Sequence, residues 1–408
     1  MLVKRCKIIN KNGTEEIKDI LIENGFISRI EKDIHLANIS ETDIVDAEEN
    51  YVLPGIVDVH THMRDPGLTH KEDFTTGSQA CARGGVTTFI DMPNTVPNTT
   101  TYELLIEKKN KMKENAYVDY GFHFGGKKTD NSDEVSKITQ ICASTKIFLN
   151  VSTGDMLVED IGILERIFKN SKIVAVHAEG EMVERAINLS EKLDIPLYLC
   201  HLSTEDELEM LKNAKNKGLK VFGEVTPHHL FLNRENMEET DDTRLLLRMK
   251  PELKEKKDNN ALWNAINSGL INSLGTDHAP HTLEEKMTKL TFGIPSVEHS
   301  LEMMLSAVKN KKITMLKLIE IMCKNPAEIF KIKNKGDIKI GNHGDLVIVD
   351  INDNSPIKND KIVSKSGWTP YSSFNRGGRV LTTILRGNIV YSKGEFFGKY
   401  GKEITYFD

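Results

Sequence analysis

Residues that could bind a divalent metal recur at the ends of short apolar runs in this sequence. His60-Thr61-His62 ends a run that begins at Ile56. Strand side chains alternate between two faces, so residues two apart point the same way and one metal can bind both imidazoles. Such a pair alone is also common in loops that bind no metal. His177, His201 and Asp277 each end a further apolar run, and this agreement between separate strand ends favours a metal site.

The ligand types indicate which kind of metal site to expect. Imidazole nitrogens and carboxylate oxygens suit zinc and related divalent ions. The five cysteines are scattered and form no C-x-x-C pair, which argues against a disulfide frame or a closed cysteine site. An open, catalytic metal site is therefore predicted. Two metals about 3.5–4 Å apart would also need a bridging anion, for which Lys146 is a candidate.

Eight apolar runs, separated by polar segments that include helical apolar spacing, must position these residues. The runs are Ile56–His60, Val86–Asp91, Tyr117–Phe124, Lys146–Asn150, Ile173–His177, Leu197–His201, Leu219–Glu224 and Leu270–Asp277. This alternation is typical of parallel strands covered by helices, and eight units predict an α/β fold of the (β/α)₈ TIM-barrel type. Polar residues at the C-terminal ends of the runs fit the place where barrel enzymes keep their chemistry. An open doubly wound sheet would give the same alternation, but no G-x-G-x-x-G follows the first run.

The two ends of the chain have a different pattern from the middle. Both show alternating strands with turn signals such as Asn12-Gly13 and Gly387-Asn388. We expect residues 1–52 and 338–408 to pair into one small β domain, and residues 53–337 to form the barrel.

Composition limits the partners of the protein. The net charge of −6 comes without a basic block, so no nucleic-acid footprint is expected. No run approaches the roughly 18 apolar residues that span a bilayer, so no membrane insertion is expected. The scattered cysteines suit a reducing compartment, and we predict a cytoplasmic protein that acts on a small molecule.

Ordered motifs along most of the chain carry a family resemblance. They are Asp58-Val59-His60-Thr61-His62-Met63-Arg64-Asp65-Pro66-Gly67, Asp91-Met92-Pro93-Asn94-Thr95, Lys146-Ile147-Phe148-Leu149-Asn150, Val176-His177-Ala178-Glu179, Cys200-His201-Leu202-Ser203 and Asp277-His278-Ala279-Pro280-His281. With these motifs the chain resembles the cyclic-amidohydrolase branch of the amidohydrolase superfamily, and within that branch the dihydroorotases. The resemblance implies a hydrolase of pyrimidine biosynthesis that opens or closes a cyclic amide.

The resemblance also implies a role for each site residue. His60, His62 and Asp277 would hold one zinc ion, His177 and His201 a second, and Lys146, carboxylated by CO₂, would bridge the two. Asp277 would be the catalytic base and acid. The carboxylate of the substrate would be bound by Arg64, Asn94 and His281.

Some alternatives stay open at the sequence level. Asp155 is an alternative bridge, and Cys200 and Glu224 could touch a further metal, although a buried thiol and a supporting acid are the preferred interpretation. His228-His229 is interpreted as structural. Lys250 stands where many dihydroorotases have an asparagine that contacts the substrate ring.

Other functions compete with dihydroorotase. Hydantoinase, dihydropyrimidinase and allantoinase share the metal ligands, and only the carboxylate-binding set separates them from dihydroorotase. A metal-free scaffold for aspartate transcarbamoylase would be expected to lose ligands, whereas this chain retains a complete set. Homodimer formation and association with aspartate transcarbamoylase are left open.

Overall fold

Seventeen strands form two separate sheets in the described part of the chain. The computed structural model describes residues 1–36, 40–151 and 156–407. The strands are β1 (Leu2–Ile9), β2 (Glu15–Glu23), β3 (Phe26–Glu31), β4 (Ile44–Asp46), β5 (Tyr51–Pro54), β6 (Ile56–Thr61), β7 (Val86–Asp91), β8 (Asp119–Gly125), β9 (Ser144–Phe148), β10 (Val174–His177), β11 (Leu197–Leu199), β12 (Val221–Val225), β13 (Ser273–Leu274), β14 (Leu346–Asp350), β15 (Arg379–Leu385), β16 (Asn388–Ser392) and β17 (Glu395–Phe396).

Helices follow most of the strands from β6 to β13. They are α1 (Phe74–Arg83), α2 (Tyr102–Lys113), α3 (Ser132–Lys137), α4 (Ile161–Lys169), α5 (Glu181–Leu193), α6 (Glu205–Asn216), α7 (Pro227–Phe231), α8 (Arg234–Glu238), α9 (Asp241–Leu246), α10 (Lys256–Asn267), α11 (Leu283–Thr288), α12 (Ser300–Lys309), α13 (Met315–Ile319) and α14 (Asn325–Ile329). Short 3₁₀ turns lie at Glu41–Asp43 and Asn359–Lys361, and a π-helical turn spans Glu320–Lys324. Among the described residues, no helix combines the length and the apolar character needed to cross a membrane.

The eight strands β6 to β13 pair in sequence order, each parallel to the next, and form the barrel. The first and last strands meet through Thr61, the last residue of β6, which forms a parallel bridge with His278 beyond β13. Asp58 strengthens this seam by accepting hydrogen bonds from the backbone N–H and the hydroxyl of Thr276, at 3.0 and 2.6 Å. The predicted TIM-type barrel is confirmed.

The other sheet is built from both ends of the chain, as predicted. Its order is β17-β16-β15-β14-β5-β1-β2-β3, and β4 adds to β1. β5 pairs antiparallel with β14 from the far end of the sequence. The residue boundaries expected for the two domains stay predictions.

Capping residues fix where two of the barrel helices begin. Asp73 accepts a hydrogen bond from the backbone N–H of Thr76 at 2.9 Å, and Thr204 accepts one from Glu207 at 3.2 Å. Each forms a reciprocal capping box, which satisfies two of the free N–H groups in the first turn. The caps therefore fix the residue at which each of these strand–helix loops ends.

The amino-terminal end of the barrel is closed by the end of α14 and by the last part of the chain. Glu403 forms a bridge with Tyr120, and Phe330 packs against the Tyr198 ring with centroids 4.8 Å apart. The carboxyl ends of the strands form the opposite end of the barrel, where a site would lie.

Candidate metal centre

All six predicted metal ligands are buried; five lie near or just past the carboxyl ends of barrel strands, and Lys146 lies in the middle of β9. They are His60 and His62 on β6 and just beyond it, Lys146 on β9, His177 at the end of β10, His201 after β11 and Asp277 after β13, and each is at most 8% exposed. Short apolar strands deliver them to one region because parallel strands end on the same side.

His60, His62 and Asp277 form the first group. The Nε2 atoms of both histidines approach one oxygen of Asp277, at 3.3 Å from His60 and 2.9 Å from His62. Their Nδ1 atoms face other acceptors, Glu224 at 2.7 Å and Asn94 at 2.8 Å. An acceptor at Nδ1 leaves Nε2 free to bind a metal, which is the arrangement that metal-binding histidines generally use.

His177 and His201 form the second group. Nδ1 of His177 lies 2.9 Å from Nε2 of His201, and the ring centroids are 4.7 Å apart. The remaining nitrogens, Nε2 of His177 and Nδ1 of His201, are buried and have no hydrogen-bond partner among the described residues. A buried imidazole nitrogen without a partner is costly, and a metal ion would satisfy it. The residues present therefore fit a metal.

Lys146 lies on β9, next to the strand β10 that ends at His177. Its side chain is fully buried, with Nζ 2.9 Å from Sγ of Cys200 and 5.2 Å from the ring centroid of Phe148. No carboxylate lies within 4.0 Å of Nζ in the described ranges. Asp155, the alternative bridge, lies outside the described residues.

The buried imidazoles differ in the direction in which their pKa values are shifted. Burial lowers the pKa of His62 to about 4 and that of His177 to about 3, so both are neutral near pH 7, the form that binds metals. Burial also opposes the charged form of His60, but Glu224 and Asp277 outweigh it and raise the pKa of His60 well above its usual value. The carboxylates thus stabilise positive charge where a cation would sit.

Asp277 remains ionised in spite of its burial. Burial alone would raise the pKa of its carboxyl, but His60 and the adjacent His62 hold that pKa well below its usual range. An ionised carboxylate is both a metal ligand and a proton acceptor.

Three residues of the site have left-handed backbone conformations. Their φ angles are +60° at Arg64, +38° at His201 and +46° at Asp277. Positive φ is uncommon outside glycine and persists where surrounding contacts enforce it, often at functional sites.

A narrow cleft opens beside the first group. It is lined by His62, Arg64, Asn94, Lys250, Asp277, Ala279, Phe292 and Gly293. Arg64 is 2% exposed, and its Nε donates to the carbonyl of Pro280 at 3.1 Å. Among the described residues, no carboxylate lies within 4.0 Å of its guanidinium. A buried guanidinium of this kind can bind the carboxylate of a ligand.

His281 lies behind this cleft. Its Nε2 is 3.2 Å from Nη2 of Arg64 and 3.0 Å from the carbonyl oxygen of Phe292. Of the three residues expected to bind a carboxylate, Arg64 and Asn94 line the cleft, whereas His281 lies behind it, next to Arg64.

Sequence reasoning missed the lysine that touches His281. Lys71 Nζ lies 3.1 Å from Nδ1 of His281. A lysine followed by a glutamate after a Pro-Gly turn resembles any surface charge pair, so no signal in a single sequence marks it.

The histidine pair beyond the seventh strand is also buried. His229 contacts the Thr226 hydroxyl at 2.8 Å and the Pro251 carbonyl at 3.1 Å. Neither nitrogen of His228 has a hydrogen-bond partner within the described ranges.

Comparisons with known proteins agree with the geometry. The profile of the amidohydrolase family matches residues 51–390. The dihydroorotase of Methanosphaera stadtmanae is 36% identical over 441 residues, covering 100% of this chain and 99% of that protein. The dihydroorotase of Pyrococcus abyssi is 36% identical over 366 residues and covers 85% of each chain. This chain belongs to the amidohydrolase family, among the dihydroorotases. It is therefore a hydrolase of a metal-dependent family.

This dihydroorotase family member is also similar to a hydantoinase of known structure and to a multifunctional protein. The L-hydantoinase (dihydropyrimidinase) from Arthrobacter aurescens superposes with a TM-score of 0.91 at 27% identity, covering 99% of both chains. The multifunctional protein CAD of Squalus acanthias is 34% identical over 359 residues, which are 86% of this chain and 15% of that protein. The fold is thus shared with hydantoinases, and the higher sequence identity is to dihydroorotases.

Proposed function

We propose that this protein is a dihydroorotase that reversibly closes N-carbamoyl-L-aspartate to L-dihydroorotate in pyrimidine biosynthesis. The observation that carries the proposal is the buried guanidinium of Arg64, which lines the same cleft as Asp277 and has no carboxylate of the described chain within 4.0 Å. Burying a guanidinium is costly, and a substrate carboxylate would compensate that cost.

The metal centre in this proposal uses both histidine groups. His60, His62 and Asp277 would hold one divalent ion, most suitably zinc, and His177 with His201 a second. Lys146 would add CO₂ at Nζ with loss of a proton, giving an anionic carbamate that bridges them. The buried amine next to Cys200 supports this role, because an unmodified ammonium would repel two cations.

Asp277 would move the proton in both directions. When bound, the divalent ions supply an attacking water of lowered pKa and a polarised carbonyl. Asp277, ionised and acceptor-only, would accept a proton from the attacking water and deliver it to the departing amide nitrogen. In ring closure the same carboxylate takes the proton from the attacking nitrogen, as microscopic reversibility requires.

The substrate carboxylate would lie against Arg64 and Asn94. A guanidinium offers a planar fork of donors to a carboxylate, and an amide adds one directed donor. Lys250, which also lines the cleft, adds a second positive charge at the position where many dihydroorotases carry asparagine.

Hydantoinase activity is the second candidate, supported by the superposition with the hydantoinase from Arthrobacter aurescens. Hydantoin carries no carboxylate, so it would leave the guanidinium of Arg64 uncompensated. A scaffold role beside aspartate transcarbamoylase has less support, because all six predicted ligands are retained.

Comparing Arg64→Met with the wild type tests the proposal on dihydroorotate and dihydrouracil, the same ring without the carboxylate. We expect kcat/KM for dihydroorotate to fall by about 100-fold or more, since a hydrogen bond to a charged group contributes about 1.5–3 kcal/mol and two are lost. Turnover of dihydrouracil and the metal content should stay unchanged. An equal loss on both substrates would contradict carboxylate recognition by Arg64.

A further inference from the structure

Lys71 lies in the loop between the metal-binding strand β6 and helix α1, and its side chain reaches behind the cleft. The residue is 8% exposed. Its Nζ lies 3.1 Å from Nδ1 of His281 and 3.3 Å from Oε2 of Glu285. Lys71 is thus held by a carboxylate on one side and contacts an imidazole on the other.

The contact with Lys71 determines which nitrogen of His281 carries hydrogen. An ammonium has only donors, so Nδ1 must be the unprotonated acceptor and the hydrogen must sit on Nε2. Nε2 lies 3.0 Å from the carbonyl oxygen of Phe292 and can donate to it. Burial, followed by the charges of Arg64 and Lys71, lowers the pKa of His281, so the ring stays neutral.

This tautomer matters for Arg64. Nη2 of Arg64 lies 3.2 Å from Nε2 of His281, and a protonated Nε2 cannot accept a hydrogen bond from it. In the other tautomer Nε2 would accept from Arg64. Its Nδ1 hydrogen would then face Oε2 of Glu285, which is 3.5 Å away and ready to accept.

We propose that Lys71 is a positioning residue for substrate recognition, because it holds His281 in the Nε2–H tautomer and so leaves the Nη2 donors of Arg64 available to the substrate carboxylate. The inference rests on the proposed dihydroorotase function. Lys71 itself acts only through His281.

Kinetics of Lys71→Met test the inference, with Lys289→Met as the matched control. Lys289 pairs with the same Glu285, at 3.5 Å, but is exposed and has no contact with His281. We expect Lys71→Met to raise KM for dihydroorotate about tenfold with kcat nearly unchanged, the order expected for one hydrogen bond to a charged group. Lys71→Arg should restore KM, and Lys289→Met should leave it unchanged. A Lys71→Met variant with wild-type KM would overturn the inference.

The tautomer can be measured directly by ¹⁵N NMR of the imidazoles in the metal-loaded protein, with the His281 signals assigned through His281→Gln. The wild type should have an unprotonated Nδ1 and a protonated Nε2, and Lys71→Met should reverse them. A protonated Nδ1 in the wild type would refute the inference. A wild type that does not turn over dihydroorotate would instead refute the proposed function, and the NMR result would not depend on it.

Discussion

Lys146 has unusual surroundings for a lysine. Its amine is fully buried and contacts a thiol and an aromatic ring. An unpaired charge in such a place is unfavourable, whereas a carbamate bound by two cations has compensated charge. We therefore expect the amine to be stable in this position only as the modified group.

Replacing Lys146 with alanine should remove both metal and activity. Without the bridging anion, two cations at close distance repel each other, so metal content measured by atomic absorption should fall together with turnover. Propionate in excess should partly restore both by filling the vacated position. Propylamine of the same length is the control and should restore neither. Full metal content in Lys146→Ala would contradict the bridging role.

The types of site residue were predictable from the sequence, but their supporting contacts were not. His60, His62 and Asp277 could be picked out because each stands at the end of a short apolar run, and because two of them have H-x-H spacing. Both features are visible in the local sequence. Glu224 was interpreted as a supporting acid, but the sequence did not say which ligand it supports; in the structure it accepts from Nδ1 of His60. The hydrogen-bond partner of a metal-binding side chain is often distant in sequence. A single sequence does not show which two residues will pair.

Elements between the strands position the cleft. Lys286 on α11 is fully buried, and its Nζ donates to the carbonyls of Arg248 and Gly293 at 2.7 and 3.1 Å. It thereby ties together two loops that carry the cleft residues Lys250 and Phe292.

The stability of the fold should depend on pH through Lys286. Burial, and then the charge of Arg248, lowers the pKa of Lys286 from 10.5 to about 7. Between these values the unfolded chain binds a proton that the folded chain does not, so stability rises with pH in that window. The free energy of unfolding of the wild type, relative to Lys286→Met, should increase by about 1–3 kcal/mol from pH 7 to pH 9. Urea unfolding measures it, and a difference independent of pH would refute the expectation.

Strand positions were predicted better than strand lengths. Each of the eight predicted runs overlaps a barrel strand, but the last, predicted as Leu270–Asp277, is a strand only over Ser273–Leu274. A side chain at Gly275 would lie 2.9 Å from Cβ of His60 and closer still to Glu224. The backbone at Gly275 is therefore determined by close packing against the site residues. The apolar pattern of the sequence does not contain this information.

At the scale of the whole molecule, the terminal sheet and the barrel are joined by a buried charge cluster. Lys335, with a side chain 2% exposed, lies 2.5 Å from both Asp119 on β8 and Asp345 before β14. Arg386, after β15, pairs with the same Asp119. The cluster joins the barrel to the terminal sheet. The sequence offered no sign of it, because Asp119 lies more than 200 residues from its partners Lys335 and Arg386.

Removing the central charge of this cluster should destabilise the protein. Lys335→Met would leave two buried carboxylates with a single cation, and loss of one partner of a buried ion pair costs about 3–5 kcal/mol. Thermal unfolding should show the loss, while the exposed Lys339→Met should unfold like the wild type. Equal stability of the two variants would mean that the cluster contributes little.

A segment between β14 and β15 also reaches the barrel mouth. Trp368 donates to the carbonyl of His281 at 2.8 Å, and the Tyr371 hydroxyl lies 2.7 Å from that of Ser296. The chain beyond the barrel therefore packs against loops at the barrel mouth.

Turnover by the purified, metal-replete wild type tests the central claim most directly. L-dihydroorotate, hydantoin and allantoin should be compared at equal concentration, following opening of each ring. The buried guanidinium of Arg64 predicts that dihydroorotate is hydrolysed far faster than either ring without a carboxylate. Faster turnover of hydantoin or allantoin, with dihydroorotate left intact, would contradict the assignment as a dihydroorotase.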